Sequence, residues 1–317
     1  MNKFLCLLVL PFLTYGQLDL EKAIKFIDQK EFVQAEEILL AYVNNHPENM
    51  LGIELLGDSY GHQKKWDEAI YQYKKLVDYK PENANYHYKY GGVLGMKALM
   101  VNKFKALMII GDVKASFLKA AELDIEHIDV RWALVELYMQ LPGVIGGSKN
   151  KALKYASQLE NLSKVDGYLA KGYIYELDKE PELAEKHYKQ ALKVGGSVTC
   201  FEKLTSFYEN NNQPQKAINN LENAYEKHNK NAMHYQIGKV CADYNIQLEK
   251  GERCLLMYIE NHSVKDGVPI EWAYFRLAQI SKNKLDKVGA LKWIDKALAQ
   301  RHDFEEAQEE KSKILAL

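Results

Sequence analysis

The segment whose residue types come nearest to a chemical motif is the glycine-rich run Pro142-Gly143-Val144-Ile145-Gly146-Gly147-Ser148-Lys149. Glycine loops that lead into helices can cradle phosphates with backbone N–H groups. A phosphate loop needs glycine, then lysine, then serine or threonine, after a strand. Here Gly147 is followed by Ser148 and only then Lys149, and no strand-like alternation leads in. The plainer reading is a turn whose glycines supply backbone angles closed to other residues, with Ser148 capping a helix that starts near Lys149. The nine histidines are scattered, no H-E-x-x-H occurs and no cysteine pair has zinc spacing, so neither a metal nor a cofactor is expected. There is no G-x-S-x-G elbow. Carboxylates are plentiful, but they sit beside lysines, as solvated charge on helix faces does. No catalytic residue stands out, and the chain is expected not to be an enzyme.

Composition narrows the classes further. Of 317 residues, 47% are hydrophobic, which excludes a disordered chain. Lys and Arg total 42 against 43 Asp and Glu. The basic excess that neutralises phosphates is missing, so no nucleic-acid partner is expected. The same balance gives no global pull towards anionic membranes, while local patches remain open. The chain has 21 Tyr and only 7 Pro, a balance that suits helices with aromatic packing positions.

Residues 1–16 read as a cleaved export signal. Met1-Asn2-Lys3 is a short basic start, Phe4 to Leu13 is an apolar run, and Thr14-Tyr15-Gly16 precedes a break before Gln17. The alternative is a membrane anchor, but the run is well short of the ~20 residues that span a bilayer. Cys6 sits too early to carry a lipid. No second long apolar run follows, so no stable transmembrane segment is expected after cleavage. The expected location is the periplasm if the host has two membranes, with secretion or envelope association as alternatives. Two formal glycosylation sequons, at Asn161 and Asn261, would stay unmodified in a bacterium. Beyond the signal lie Cys200, Cys241 and Cys254, an odd and low number that builds no disulfide framework. Cys241 and Cys254 could face each other across one hairpin, or be two small core residues.

What must position any functional side chain is a repeat. The clearest copy, from Met50 to about Asn83, carries Leu56-Gly57, Tyr60, Ala69, Tyr73, Leu76 and Pro81. The copy before it shows Phe26, Ala35, Leu39 and Pro47, and thirty-four residues separate both Ala35 from Ala69 and Pro47 from Pro81. Later copies are Tyr168, Gly172, Tyr175, Ala184, Tyr188, Ala191; then Phe201, Leu204, Tyr208, Ala217, Leu221, Ala224. A degenerate copy, shifted by about a residue, runs through Gly238, Cys241, Gly251 and Leu255, and a last one through Ala278, Ala290, Ile294 and Ala297. Two copies are stretched. One spans 84–127, with about ten residues added between Leu94 and Phe117; the other has the glycine-rich loop 141–148 between Tyr138 and Ala152. Residues 304–317 read as a closing helix with Phe304, Ala307 and Ile314 inward and Glu305, Glu306, Glu309 and Glu310 outward.

About eight helical hairpins over 17–303 and a cap are therefore expected, with no strand. A hairpin cannot bury its apolar face alone, so hairpins stack. Small residues at the eighth and twentieth repeat positions, such as Gly57 with Ala69 and Gly172 with Ala184, let paired helices approach.

In these markers the chain resembles the tetratricopeptide repeat family over nearly its whole length after the signal. It also resembles exported bacterial repeat proteins with a helix end like Ala121-Glu122-Leu123-Asp124 and a Pro-Gly-x-x-Gly-Gly-Ser loop like Pro142 to Ser148. The resemblance implies an all-α fold, a right-handed α-solenoid of hairpins with a concave groove lined by the first helix of each. At groove positions it places Tyr88, Trp132, Tyr173, Tyr235 and Phe275, with Trp272 beside them. Such rings can grip apolar or extended peptide, or pack between neighbouring helices. The Lys/Asn clamp by which some family members seize a C-terminal carboxylate has no counterpart: the matching positions read Leu51, Glu54, Leu55, Asp58 and Asn85, Tyr88, Lys89, Gly92.

The stretch from Gly95 to Gly111 is unusual. Met96, Met100, Phe104 and Met108, with Leu99, Leu107 and Ile110, make a Met-rich apolar surface interrupted by Lys97, Lys103 and Lys105. It could fold back over the 141–148 loop, bind a partner with its flexible Met side chains, or touch a membrane surface. The expectation is an exported scaffold for a protein or peptide partner held in the groove. The alternative is a binder of a small molecule, glycan or lipid, with the Met-rich extension and the glycine-rich loop as its pocket.

Overall fold

The structure, a computed structural model, describes the backbone from Leu10 and the side chains from Leu18 to Leu317. Residues 1–9 of the expected export signal, and the side chains of the rest of it, lie outside the described residues. Among the described residues there are seventeen α-helices and no strand. They are α1 (Leu10–Asp28), α2 (Phe32–Asn45), α3 (Met50–His62), α4 (Trp66–Tyr79), α5 (Ala84–Met100), α6 (Lys103–Leu123), α7 (Ile128–Gln140) and α8 (Lys149–Leu162). Then follow α9 (Lys164–Leu177), α10 (Pro181–Gly195), α11 (Val198–Asn210), α12 (Pro214–His228), α13 (Ala232–Asp243), α14 (Leu248–Glu260), α15 (Ile270–Asn283), α16 (Lys287–Gln300) and α17 (Glu305–Leu315). Each odd-numbered helix as far as α15 packs chiefly on the even-numbered one that follows it. The chain divides into two compact units, one ending at Leu162 and the other starting at Ser163.

Local chemistry sets the turns. In the short hairpins, the second residue past the first helix takes a left-handed conformation: Lys30, Lys64, Lys179, Asn212, Asn245 and Leu285. The next N–H then reaches back to a carbonyl of the last turn, as Lys65 N–H does to Tyr60 (2.9 Å), Glu180 to Tyr175 (2.9 Å) and Gln213 to Tyr208 (2.8 Å). This closing bond offsets the cost of positive φ in a residue that carries a Cβ. Between hairpins, Pro47 and Pro81 cannot continue a helix. Asn49 and Asn83 then cap the next one, accepting from the N–H of Gly52 (2.9 Å) and of Tyr86 (3.1 Å).

The two helices of a hairpin cross where one side chain is missing. A Cβ on Gly57 would lie 3.0 Å from Tyr73 Cζ, and one on Gly172 only 2.6 Å from Tyr188 Cδ1. Each glycine faces the ring sixteen residues on. In the stretched copy Gly91 faces Phe117, a gap longer by ten, and in the shifted copy Gly238 faces Leu255, a gap longer by one. Ala69 and Ala184 lie on the second helix of the first two crossings, Ala35, Ala217 and Ala290 hold the matching place in other hairpins, and all five are fully buried.

Three details depart from expectation or add to it. Glu310, expected on the outer face of the closing helix, is buried and ion-paired to Lys282 of α15. Its inward turn lets the cap be tied by charge as well as by Phe304, Ala307 and Ile314, which are buried. Cys241 and Cys254 are free thiols. Burial, more than the neighbouring Cys254, pushes the Cys241 thiol up to about 12.

Two outcomes follow from this packing. Gly172→Ala gains about 1 kcal/mol of helix propensity but overpacks the Tyr188 ring at a cost of about 1–3 kcal/mol. It should lower the urea midpoint more than Gly57→Ala, whose ring lies farther away; the reverse order would refute this account of the crossings. Iodoacetamide at pH 8 should leave Cys241 unmodified in the native protein and alkylate it after unfolding, as read by mass spectrometry.

Candidate functional site

The odd-numbered helices of the first unit bring charge and rings together on one face. On α3, Glu54 and Asp58 both hold Lys89 of α5, at 2.7 and 2.8 Å. Asn85 donates to Glu54 (3.2 Å), and the Tyr73 hydroxyl donates to Asp58. Burial alone would lower the Lys89 pKa, but Asp58 and Glu54 outweigh it and raise it. On α7, Asp129, Trp132 and Glu136 share one helical face by their spacing. The two acids are exposed and the Trp132 ring is half-buried. Tyr88 of α5 is half-buried beside them, with its ring 5.0 Å from His127 and 6.2 Å from Phe117. Its hydroxyl pKa is raised, first by burial and then by Asp129 and Glu136. Asp129 and Glu136 therefore lie near enough to Tyr88 to act on its hydroxyl, and the next residue, Lys89, is held by Glu54 and Asp58.

The other rings take different places. Tyr173 is half-buried on α9 of the second unit. Tyr235 is only 5% exposed, packed 5.4 Å from the Tyr258 ring. Phe275 is 6% exposed, 5.4 Å from Phe304, and Trp272 meets that ring edge-on at 4.6 Å. The Arg301 guanidinium covers Phe304 at 3.8 Å. The rings of Tyr235 and Phe275, expected to line a groove, are core instead: Tyr258 of α14 packs on the first and Phe304, just ahead of α17, on the second. Trp272 serves the cap. Sequence position puts these residues on the right helix without showing how far the next layer covers them.

In the glycine-rich loop the N–H groups of Ile145 and Gly147 bond to the Pro142 carbonyl (3.0 and 3.1 Å), that of Gly146 to Gly143 (3.1 Å) and that of Ser148 to Tyr138 (2.9 Å). Those donors are spent within the turn, and a Cβ on Gly147 would strike the Leu141 carbonyl oxygen. Ser148 Oγ accepts from Lys151 N–H and caps α8. Met96, Met100, Phe104 and Met108 are exposed at the far end of the α5–α6 hairpin and are not folded back.

A second feature was not anticipated from sequence. Acids on one layer meet donors about one repeat later: Asp58 with Lys89, Glu209 with Lys239, Asp243 with Arg276, and Glu176 with Asn210. The even-numbered helices and their turns carry a parallel series, Glu36 with Lys65, Glu185 with Lys216 and Glu222 with Lys250. Each exposed pair contributes about 0–1 kcal/mol, so the series matters more for register than for total stability. The signal was present as acid and base near the repeat period, hidden among surplus surface charge.

Residues 57–97 match the family model described as TPR repeat. The chain is similar to a crystal structure of a tetratricopeptide repeat protein from Parabacteroides merdae ATCC 43184, with TM-score 0.52 at 15% identity over 95% of this chain and 98% of that one. The fold is a tetratricopeptide-repeat α-solenoid. A smaller likeness is to YrrB, described as a TPR protein with an unusual peptide-binding site, with TM-score 0.42 at 20% identity over 62% of this chain and 97% of that one. No curated protein matches the sequence. Within the matched repeat lie Gly57, Tyr73, Asp58 and Lys89, so the segment that carries the family signal also builds half of the acidic, aromatic face.

Lys89→Met leaves Glu54 and Asp58 half-buried side by side without their shared cation. It should destabilise the protein by about 1–3 kcal/mol, seen as a lower urea midpoint, while Lys89→Arg keeps most of the midpoint. An unchanged midpoint for Lys89→Met would show that the two acids need no partner.

Proposed function

We propose that this chain is a non-enzymatic scaffold that holds a protein or peptide partner against the α3–α5–α7 face of its first unit, and that the segment it grips is basic and partly apolar. The observation that carries this reading is the half-buried ring of Tyr88, with Asp129 and Glu136 acting on its hydroxyl and the half-buried Trp132 between those two acids on the same face of α7. Rings offer apolar area at low entropic cost. The acids reward Lys or Arg on the ligand, and cations over rings gain further. A ligand ending in a carboxylate meets the wrong charge here. Tyr173 provides a comparable half-buried ring in the second unit. Export is part of the proposal and rests on the Met1-to-Gly16 pattern; fusion to a reporter active only outside the cytoplasm tests it separately.

The binding reading is tested with an arrayed library of extended peptides and the full chain. Peptides combining Lys or Arg with aliphatic residues should be enriched. Trp132→Ala and Tyr88→Ala should each weaken the best peptide by about tenfold or more, the usual effect of truncating an aromatic anchor. Asp129→Lys with Glu136→Lys should shift the preference towards acidic peptides. Preference of the parent for acidic peptides, or binding indifferent to both ring truncations, would overturn it.

A further inference from the structure

The α5–α6 hairpin is built to end on a surface outside the stack. Helix α6 has 21 residues against 14 in each of α2, α4 and α8, and the seven extra residues carry it about 10 Å further. Helix α5, with 17 residues, lengthens beside it. Ala98 and Val113 are buried between the two helices, and Asn102 caps α6 by accepting from Lys105 N–H. Lys97 is ion-paired to Asp67 at the start of α4, which ties the hairpin to its neighbour. The tip is thus a folded element rather than a loose loop.

Its outer face is apolar. Met96, Leu99 and Met100 on α5, and Phe104, Leu107 and Met108 on α6, fall at helical i, i+3, i+4 spacing. They are exposed by 40, 69, 61, 84, 48 and 81%. Single exposed apolar residues are ordinary; six together on one protruding end are a patch that soluble proteins reserve for contact. Charge says what kind. No Asp or Glu occurs between Glu82 and Asp112, a span that holds Lys89, Lys97, Lys103 and Lys105, in a chain whose net charge is −1. Lys103 and Lys105 flank Phe104 and are exposed. The shape is a knob and not a groove, so it offers no walls to clasp a peptide. It suits a soft, extended, negatively charged surface into which rings and thioethers can sink while lysine heads stay at the phosphate level.

We propose that this hairpin tip docks on an anionic lipid bilayer surface. Phe104, Met108, Met100 and Leu99 enter the boundary between headgroups and acyl chains, and Lys103 and Lys105 pair with lipid phosphates. This placement uses none of the residues around Tyr88 on which the proposed function rests.

The experiment is vesicle flotation of the full chain with equimolar phosphatidylglycerol and phosphatidylcholine, and with phosphatidylcholine alone, alongside hydrogen exchange with and without vesicles. The N-terminal apolar run is common to parent and variants, so the difference between them reads the tip. The parent should bind the anionic vesicles more tightly than the neutral ones and gain protection over residues 99–110. Lys103→Glu with Lys105→Glu should cut the anionic binding by roughly tenfold or more, given what each cation contributes at such a surface. Phe104→Ser with Met108→Ser should do the same. Both pairs are exposed, so circular dichroism should stay that of the parent. Equal binding by parent and variants, equal binding to both vesicle types, or protection confined to other residues would overturn the proposal. So would a lipid-independent dimer in sedimentation that Phe104→Ser with Met108→Ser abolishes, because the patch would then belong to a second copy.

Discussion

Where Gly57, Gly91, Gly172 and Gly238 stand, a missing Cβ lets the neighbouring helix bring a ring or a leucine against bare backbone. Helix axes at such a crossing sit closer than side chains on both sides would allow, and dispersion contacts multiply. The alanines twenty positions into each repeat do the same from the other helix. Once the crossing is fixed, the turn between the helices has little freedom. A lysine, asparagine or leucine is held there in a conformation it rarely adopts, with a closing backbone bond as compensation. The hairpin becomes a rigid unit with one apolar side uncovered, and stacking is the way to cover it.

Stacking in turn decides what the polar residues can do. Within each unit, layers repeat at a nearly constant interval, so an acid in one layer meets a donor in the next again and again. A recurrent part of the surface charge is therefore engaged in holding layers in register. Other charge gains meaning by its setting: Asp129 and Glu136 bear on the half-buried Tyr88, and residues 83–111 of the α5–α6 hairpin hold no acid. The two faces differ in charge sign and in shape, one lined by half-buried rings and the other protruding.

Much of this was legible in the sequence, for reasons that can be named. The repeat was visible because a tight crossing tolerates few residue types, so Gly57, Ala69 and Tyr73 recur in step with Gly172, Ala184 and Tyr188. Even the irregular copies kept the rule, since the ten added residues lengthen the gap from Gly91 to Phe117 by ten. The left-handed turn residues were invisible because glycine, the usual marker, is not used. Burial of Tyr235 and Phe275 was also hidden: whether a ring lines an open face depends on side chains that arrive later in the chain, here Tyr258 of α14 and Phe304 just ahead of α17. Glu310 escaped because an inward acid and an outward one look alike until Lys282 is seen beneath it.

The ten-residue extension lies beyond the Gly91–Phe117 crossing, and its exposed end, Leu99 to Met108, carries none of the ion pairs that, among the described residues, align one hairpin with the next, the nearest being Lys97 with Asp67. The composition of that exposed end can drift without disturbing the crossings of the stack. A scaffold with such an appendage separates two kinds of selection: the crossings are held by packing, whereas the appendage answers only to whatever it touches. Lineages could acquire, lose or retune a new contact there in small steps, each one neutral to folding.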